Sequence, residues 1–437
     1  MNNAIYLLLY GALVVVLVTW HLKRRGSRHQ AEAAQLEAAE KSGMNEPPSL
    51  HPAVDPNRCL GSGACAKACP EGALGVVNGK AVLINGSACI GHGACATACP
   101  VQALTLVFGS EKRGIDIPNI SRDFETNVPG VFIAGELGGM GLIRKTAEQG
   151  RQAMAAIQRR SVGDHGAPLD VVIVGAGPAG LSAGLSALHH KLRYVILEQE
   201  DSLGGSVYHY PRNKIAMTAP VKLDLIGTVR LGSEVQKEKL LEFWHRVVQR
   251  TGLVLNFNER FERLDKLGDG SFDVQTSRGR YHTRSVLLAL GRRGTPRKLD
   301  VPGEDLPKVV YRLVDAEQYA GRNVLVVGGG DSALEAAIAL AEEAASKVTL
   351  SYRSAAFSRV KEKNRLQLQA LEAKGRVRVL LESSVKRIDP AQVTLALKGG
   401  SEQSLANDYV IVCAGGVLPT PLLKDIGIQF ETKFGRR

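Results

Sequence analysis

Residues 171–180 read VVIVGAGPAG, and this stretch decides the fold. An unbroken apolar run of this length is the mark of a parallel strand covered on both faces. Gly175, Gly177 and Gly180 follow, and residues 181–190 continue with helical character. Strand, G-x-G-x-x-G and helix together form the dinucleotide-binding fingerprint, in which the first glycine turns the chain, the second admits a pyrophosphate and the third lets helix pack on strand. The next apolar run, Tyr194–Leu197, ends at Glu198, about 20 residues beyond the glycines, where a carboxylate hydrogen-bonds the ribose hydroxyls of adenosine.

A second copy follows at residues 324–340, VLVVGGGDSALEAAIAL, with Gly328, Gly330 and Ala333 in the three positions and Ser332 in the first turn of the helix. After its next strand, residues 347–352, no carboxylate stands where Glu198 stood. Arg353 is there instead, with Arg359 and Lys361 close behind. Cations at that place accept a 2'-phosphate, which favours NADPH over NADH, although a solvated basic helix face has the same composition.

The 437 residues are enough for two or three domains with linkers. Hydrophobic residues make up 44% and charged residues 22%, which excludes wholesale disorder and a many-helix membrane protein. The 47 glycines suit several turns that approach phosphates or cofactors. The formal charge of +12 suits an anionic surface, an acidic partner or nucleotide phosphates, and no nucleic-acid-binding motif accompanies it.

Six of the seven cysteines fall in two runs, CLGSGACAKACP at 59–70 and CIGHGACATACP at 89–100, a repeat offset by 30 residues. The spacing is that of metal ligands in a reducing compartment, and neither run has the C-x2-C knuckle of a zinc site. Both runs resemble the two-cluster bacterial ferredoxin pattern C-x2-C-x2-C-x3-C-P, whose fourth cysteine ligates the other cluster. That resemblance implies crossed sets, Cys59, Cys65 and Cys99 for one cluster and Cys89, Cys95 and Cys69 for the other. Ser62 and His92 replace the second cysteine of each run. Two outcomes stay open: 3Fe-4S clusters on three thiolates, or 4Fe-4S clusters completed by the Ser62 hydroxyl, the His92 imidazole or water.

The N-terminus carries an uncharged run, residues 4–20, followed by Lys23, Arg24 and Arg25. As a helix it would span ~25 Å, so a single-pass anchor over residues 1–25 is expected, with the remaining domains cytoplasmic by the positive-inside rule. Residues 26–52 read as a linker.

Taken together, residues 168–437 resemble the two-dinucleotide-domain flavoproteins of the thioredoxin reductase type, including the thioredoxin-reductase-like ferredoxin-NADP reductases. The resemblance is carried by GAGPAG with Glu198, by residues 287–291 (LLALG), by GGGDSA at 328–333 and by Ala414, Gly415 and Gly416. It implies an α/β fold with two Rossmann-like domains, FAD on the first motif and NAD(P)H on the second. The family's disulfide reductases carry Cys-x-x-Cys before the second motif, but here residues 311–323 contain no cysteine. The family's closing strand, Gly-Asp pair and helix are missing after Gly416. Residues 126–157, with Gly135 and Glu136, look like that piece, so the FAD domain reads as circularly permuted. The expected domains are ferredoxin-like at 53–110, FAD-binding at 111–300 with 401–437, and NAD(P)-binding at 301–400. Residues 205–217 are expected to line the flavin face. The expected activity is electron transfer between NAD(P)H, FAD and two iron-sulfur clusters, and on to a partner redox protein. The rivals are a flavin reductase of a small quinone or disulfide acceptor and a redox sensor. Cofactors carry such chemistry, so no catalytic triad is expected, and a homodimer is left open.

Overall fold

In the computed structural model the run at 171–174 lies in the strand Leu169–Val174, buried between parallel neighbours on both sides. Described are residues 2–41, 45, 47, 50–110, 114–139, 141–160, 168–232, 234–292, 294–343, 345–357 and 360–435; the side chains of 2–9, 21, 22, 25, 28, 41, 217 and 295 lie outside the description. Two compact units divide the chain, one of residues 1–115 with 358–362 and 433–437, the other of 116–357 with 363–432.

The second unit holds two sheets. In the first, Tyr194–Leu197, Leu169–Val174 and Arg280–Leu288 run parallel, and the hairpin Phe261–Lys266/Phe272–Thr276 extends the early half of Arg280–Leu288. Beside the later half of that strand, the hairpin's place is taken by Val131–Ile133, parallel and in register with Val286, Leu287 and Leu288. A strand from upstream of the glycine motif thus completes the sheet. The helix that follows it, Ile143–Arg160, packs along the motif's own helix, Pro178–His189. Contact is close because Gly150 has no side chain: a Cβ there would stand 2.0 Å from the Ala179 carbonyl oxygen.

The second sheet is five-stranded and parallel, in the order Val309–Val310, Tyr409–Val412, Asn323–Val327, Lys347–Tyr352, Val377–Leu381. Residues 401–412, expected with the FAD half, therefore need reassigning. Val410 and Ile411 are wholly buried, and an apolar strand of this kind needs ladders on both edges, which Val309–Val310 and Asn323–Val327 supply. The chain then turns back: Leu423 and Ile428 join the core of Val131, Ile133 and Val172. The Asn119 amide donates to the Gln429 carbonyl at 2.9 Å, the Asn127 side chain donates to the Gly427 carbonyl and accepts from the Gln429 amide, both at 2.8 Å, and Thr432 donates to Asp116 at 2.7 Å. The end of the chain is thereby bonded to the start of the upstream segment.

In the first unit, His51–Val54 pairs antiparallel with Leu104–Val107, and Leu74–Val77 forms a hairpin with Lys80–Leu83. Each cysteine run turns through two glycines with positive φ, Gly61 and Gly63 or Gly91 and Gly93, into a short helix, Ala64–Ala68 or Ala94–Ala98. One helix covers Asn2–Lys41. Its polar half docks on the hairpin: Glu32 accepts from the Val76 amide at 2.7 Å and the His29 ring bonds the Val76 carbonyl at 2.6 Å.

The membrane anchor over 1–25 is overturned, and with it the single-pass localisation and the cytoplasmic placement derived from it. No helix among the described residues is long and apolar enough to cross a membrane. The uncharged run is not a separate element: one helix, Asn2–Lys41, holds it and continues through Lys23 and Arg24.

Candidate functional site

The first glycine loop lies at the carboxyl ends of three parallel strands, the crevice where open α/β sheets bind ligands. Gly175 has φ +108° and would place a Cβ 2.5 Å from the Ala289 carbonyl oxygen, so only glycine makes this turn. A Cβ on Gly180 would stand 1.8 Å from the Gly175 oxygen, which is why helix and strand can approach. Gly177 meets only the Gly205 Cα, at 3.7 Å. It begins the helix Pro178–His189 with no side-chain cap, leaving the mouth of the turn open.

Glu198 stands beside this loop, 6% exposed. Its carboxylate accepts from the Ala176 amide at 2.7 Å and the Glu200 amide at 3.1 Å. Burial pushes its carboxyl above the usual range, partly offset by those amides. Gly135 follows the strand Val131–Ile133 with φ +87°, and a Cβ there would lie 3.1 Å from the Ala179 side chain, so the upstream segment reaches the same loop. Its amide is held by the Gln149 side chain at 2.9 Å. The half-buried Glu136 folds over Gly141, at the turn before the helix Ile143–Arg160. Of residues 205–217, Gly205 approaches the Gly177 Cα to within 2.9 Å of a built Cβ. His209 bonds Glu200 at 3.5 Å and Arg312, while Arg212 and Lys214 reach Asp315 at 3.1 Å and Glu335 at 2.6 Å in the second dinucleotide half.

The second loop repeats the logic. Gly328 has φ +147° and a Cβ would stand 2.4 Å from the Cys413 carbonyl oxygen; Gly329 is covered by the Tyr352 ring. Gly330 has nothing within 4 Å of a Cβ and begins the helix Asp331–Glu342 without a side-chain cap. Ser332 is exposed in the first turn, and Arg353 is exposed at the end of Lys347–Tyr352, one strand over. Arg359 lies outside the described residues.

The six cysteines of the two runs lie within reach of one another: Cys65 lies in the fields of Cys59 and Cys99, Cys89 in that of Cys69, and Cys95 in those of Cys89, Cys69 and Cys65. Burial pushes the Cys65, Cys89 and Cys95 thiols up, that of Cys95 to about 11. Buried thiols of this kind ionise only against a cationic partner, which suits iron. Backbone amides point at sulfur: Ala81 donates to Cys59 Sγ at 3.3 Å and Ala103 to Cys99 Sγ at 3.2 Å. A narrow cleft is lined by Cys69, Cys89, Cys95 and His92. Ser62 is exposed and accepts only a long hydrogen bond, 3.5 Å, from the nearby Ala64 amide. Among the described residues no group of three or more such side chains converges on a single metal ion, so the thiols are read through the cluster pattern.

Residues 172–435 match the family described as pyridine nucleotide-disulphide oxidoreductase. The chain belongs to that family. Residues 51–100 of this oxidoreductase match the 4Fe-4S dicluster domain. Its relatives include a ferredoxin-NADP reductase of Ignicoccus hospitalis, 30% identical over 60% of this chain and 83% of that protein, and the bacilliredoxin reductase Bdr of Bacillus subtilis, 28% identical over 61% and 82%. Among solved structures, bacillithiol disulfide reductase Bdr (YpdA) from Staphylococcus aureus is 27% identical over 59% of this chain and 80% of its own, with a TM-score of 0.52. The oxidoreductase is FAD-dependent, uses NAD(P)H and carries a ferredoxin-like iron-sulfur domain.

Gln149 and Gly150 escaped the sequence reading. A lone glycine inside the amphipathic pattern 143–160 was the available signal, since glycine in a helix interior costs ~1 kcal/mol unless close packing offsets it.

Proposed function

We propose that this oxidoreductase passes electrons from NADPH through FAD to two iron-sulfur clusters and on to a partner redox protein. What supports the reading is the match of residues 51–100 to the 4Fe-4S dicluster domain together with the mutual proximity of the thiols, Cys59 and Cys99 acting on Cys65 and Cys69 acting on Cys89 and Cys95, the last of which feels Cys65 as well. When bound, FAD exchanges a hydride with the nicotinamide and single electrons with the clusters.

The chain's own residues bind and orient. Gly175, Gly177 and Gly180 make room for the FAD pyrophosphate at a helix N-terminus, and Glu198 turns from its loop amides to the adenosine ribose. By the family resemblance, Gly135 and Glu136, at the end of Val131–Ile133, take the part of the Gly-Asp pair on the flavin side of FAD. The bonds from 427–432 to 116–127 support a circular permutation, because they join the two ends that an unpermuted chain would connect covalently. Gly328, Gly330 and Ser332 receive the NADPH pyrophosphate, and Arg353, exposed at the end of its strand, pairs with the 2'-phosphate. Amides donated to Cys59 and Cys99 stabilise the more negative, reduced charge state of their cluster. His92, which lines the cleft with Cys69, Cys89 and Cys95, would supply the fourth ligand of a cluster held there, and a neutral nitrogen in place of thiolate would raise that cluster's potential. Ser62, bonded to the Ala64 amide of its own loop, would leave a cluster on Cys59, Cys65 and Cys99 with three thiolates.

The test is an anaerobic NADPH titration followed by flavin absorbance and low-temperature EPR. Cluster signals that grow as the flavin bleaches support the chain of carriers. A second reading, reduction of a small disulfide at the flavin, is favoured by the names of the Bdr relatives. Bleaching with unchanged clusters, and disulfide turnover that survives loss of the clusters, would establish it instead.

A further inference from the structure

We propose that the first cysteine run carries, on residues 58–67 and Lys80, the docking face for an acidic one-electron redox protein. This rests on the electron-transfer reading above and adds which end of the cluster module meets the partner. The repeat is its own control. Leu60 is 74% exposed, the highest value for any large apolar side chain among the described residues, whereas its repeat mate Ile90 is half-buried in the cleft of the second run. Arg58 and Lys67 are exposed where the second run has the buried Ala88 and the neutral Thr97. Lys80 adds a third cation: its Nζ donates to the Cys59 carbonyl at 2.8 Å. A Cβ on Gly61 would stand 2.1 Å from the Gly79 oxygen, so loop and hairpin turn are packed together and keep Lys80 at this mouth.

Residues 51–110 contain two acidic side chains, and the docked helix adds Glu32, which is engaged by the Val76 amide at 2.7 Å. Asp55 is occupied in part by the Asn57 amide, at 3.0 Å, and Glu71 lines the cleft of the other run. The first mouth is therefore an exposed leucine among cations beside Cys59 and Cys65, a small apolar centre with a basic rim. Charge complementarity selects an acidic partner, and proximity to cluster ligands selects one that takes single electrons.

The test uses the full-length holoprotein with NADPH and two acceptors of one fold: native cytochrome c, which is basic, and fully succinylated cytochrome c, which is acidic. The wild type reduces the succinylated form about tenfold faster at low ionic strength, and the gap closes as salt screens the exposed charges. R58E/K67E reverses the preference, while T97E, the repeat-mate change, leaves it alone; flavin bleaching and reduction of neutral benzoquinone stay unchanged in both. Should R58E/K67E lose iron, L60S decides: it slows both cytochromes with no change in salt slope. Intact transfer to succinylated cytochrome c that ignores R58E/K67E and L60S, or that responds equally to T97E, overturns this face alone. Reduced clusters that pass no electrons to either cytochrome overturn it together with the electron-transfer reading.

Discussion

Gly150→Ala adds a single methyl group between the helices Ile143–Arg160 and Pro178–His189. Helix propensity alone predicts a gain of ~1 kcal/mol, because alanine holds the helix better than glycine. The built Cβ, however, lies 2.0 Å from the Ala179 carbonyl oxygen and 2.8 Å from its carbon, backbone atoms that cannot rotate away. Overpacking of this kind costs typically 1–3 kcal/mol, and a contact this deep lies at the upper end, ~3 kcal/mol. The net expectation is a loss of ~2 kcal/mol, or roughly 4–8 °C in the midpoint of flavin release. Gly26→Ala is the matched control: it also sits inside a helix, but nothing lies within 4 Å of its Cβ, so the propensity gain of up to ~1 kcal/mol stands alone. Thermal release of flavin, followed by fluorescence, reads the first variant; helix loss by circular dichroism reads the second. A midpoint for G150A at or above that of the wild type would refute the close helix contact and, with it, the placing of residues 143–160 beside the first glycine motif.

Crossed ligation predicts that C69S/C89S, which touches one set, leaves about half of the iron, whereas C65S/C69S, which touches both, removes nearly all of it; uncrossed ligation gives the opposite pattern by iron analysis. His92→Cys supplies a fourth thiolate and lowers the potential of one cluster, read by EPR-monitored redox titration; an unchanged potential would show that His92 is not a ligand. Arg353→Glu raises KM for NADPH at least ~10-fold and spares NADH, in steady-state flavin reduction. Asp408 accepts from the Asn323 amide at 2.7 Å and from its side chain at 2.9 Å, and the amide bond foremost holds the carboxyl below its ordinary value. A depressed folded-state value means stability present above the ordinary carboxylate range of about 3.9 and lost as pH falls through the folded value, so D408N flattens the acid limb in urea midpoints measured from pH 3 to 7.

Local chemistry was legible wherever it repeats at fixed spacing. The two glycine motifs read correctly as strand, turn and helix because each glycine there has a covalent-geometry reason to be glycine: Gly175 a φ of +108°, Gly180 an approach of 1.8 Å. The cysteine runs were legible for the same reason. Residues 401–412 were misassigned because the partners that bury Tyr409–Val412 are some 85–100 residues distant in sequence. The anchor was misread because an apolar run of residues says nothing about the longer helix that contains it. Arg212 and Lys214 pair with Asp315 and Glu335 in the second dinucleotide half, contacts between chain segments more than 100 residues apart that no local pattern contains.

By itself the sequence determined which segments turn sharply and which carry thiols, since those depend on φ, on the absence of a side chain and on a sulfur atom being present. Only the tertiary structure decided that Val131–Ile133 completes the sheet of a motif that begins some forty residues later, that Gly150 lets two helices touch, and that Leu60 faces solvent while Ile90 does not. Those depend on what lies opposite each residue across space. A strand edge and a leucine look alike in a sequence whether they are covered or bare.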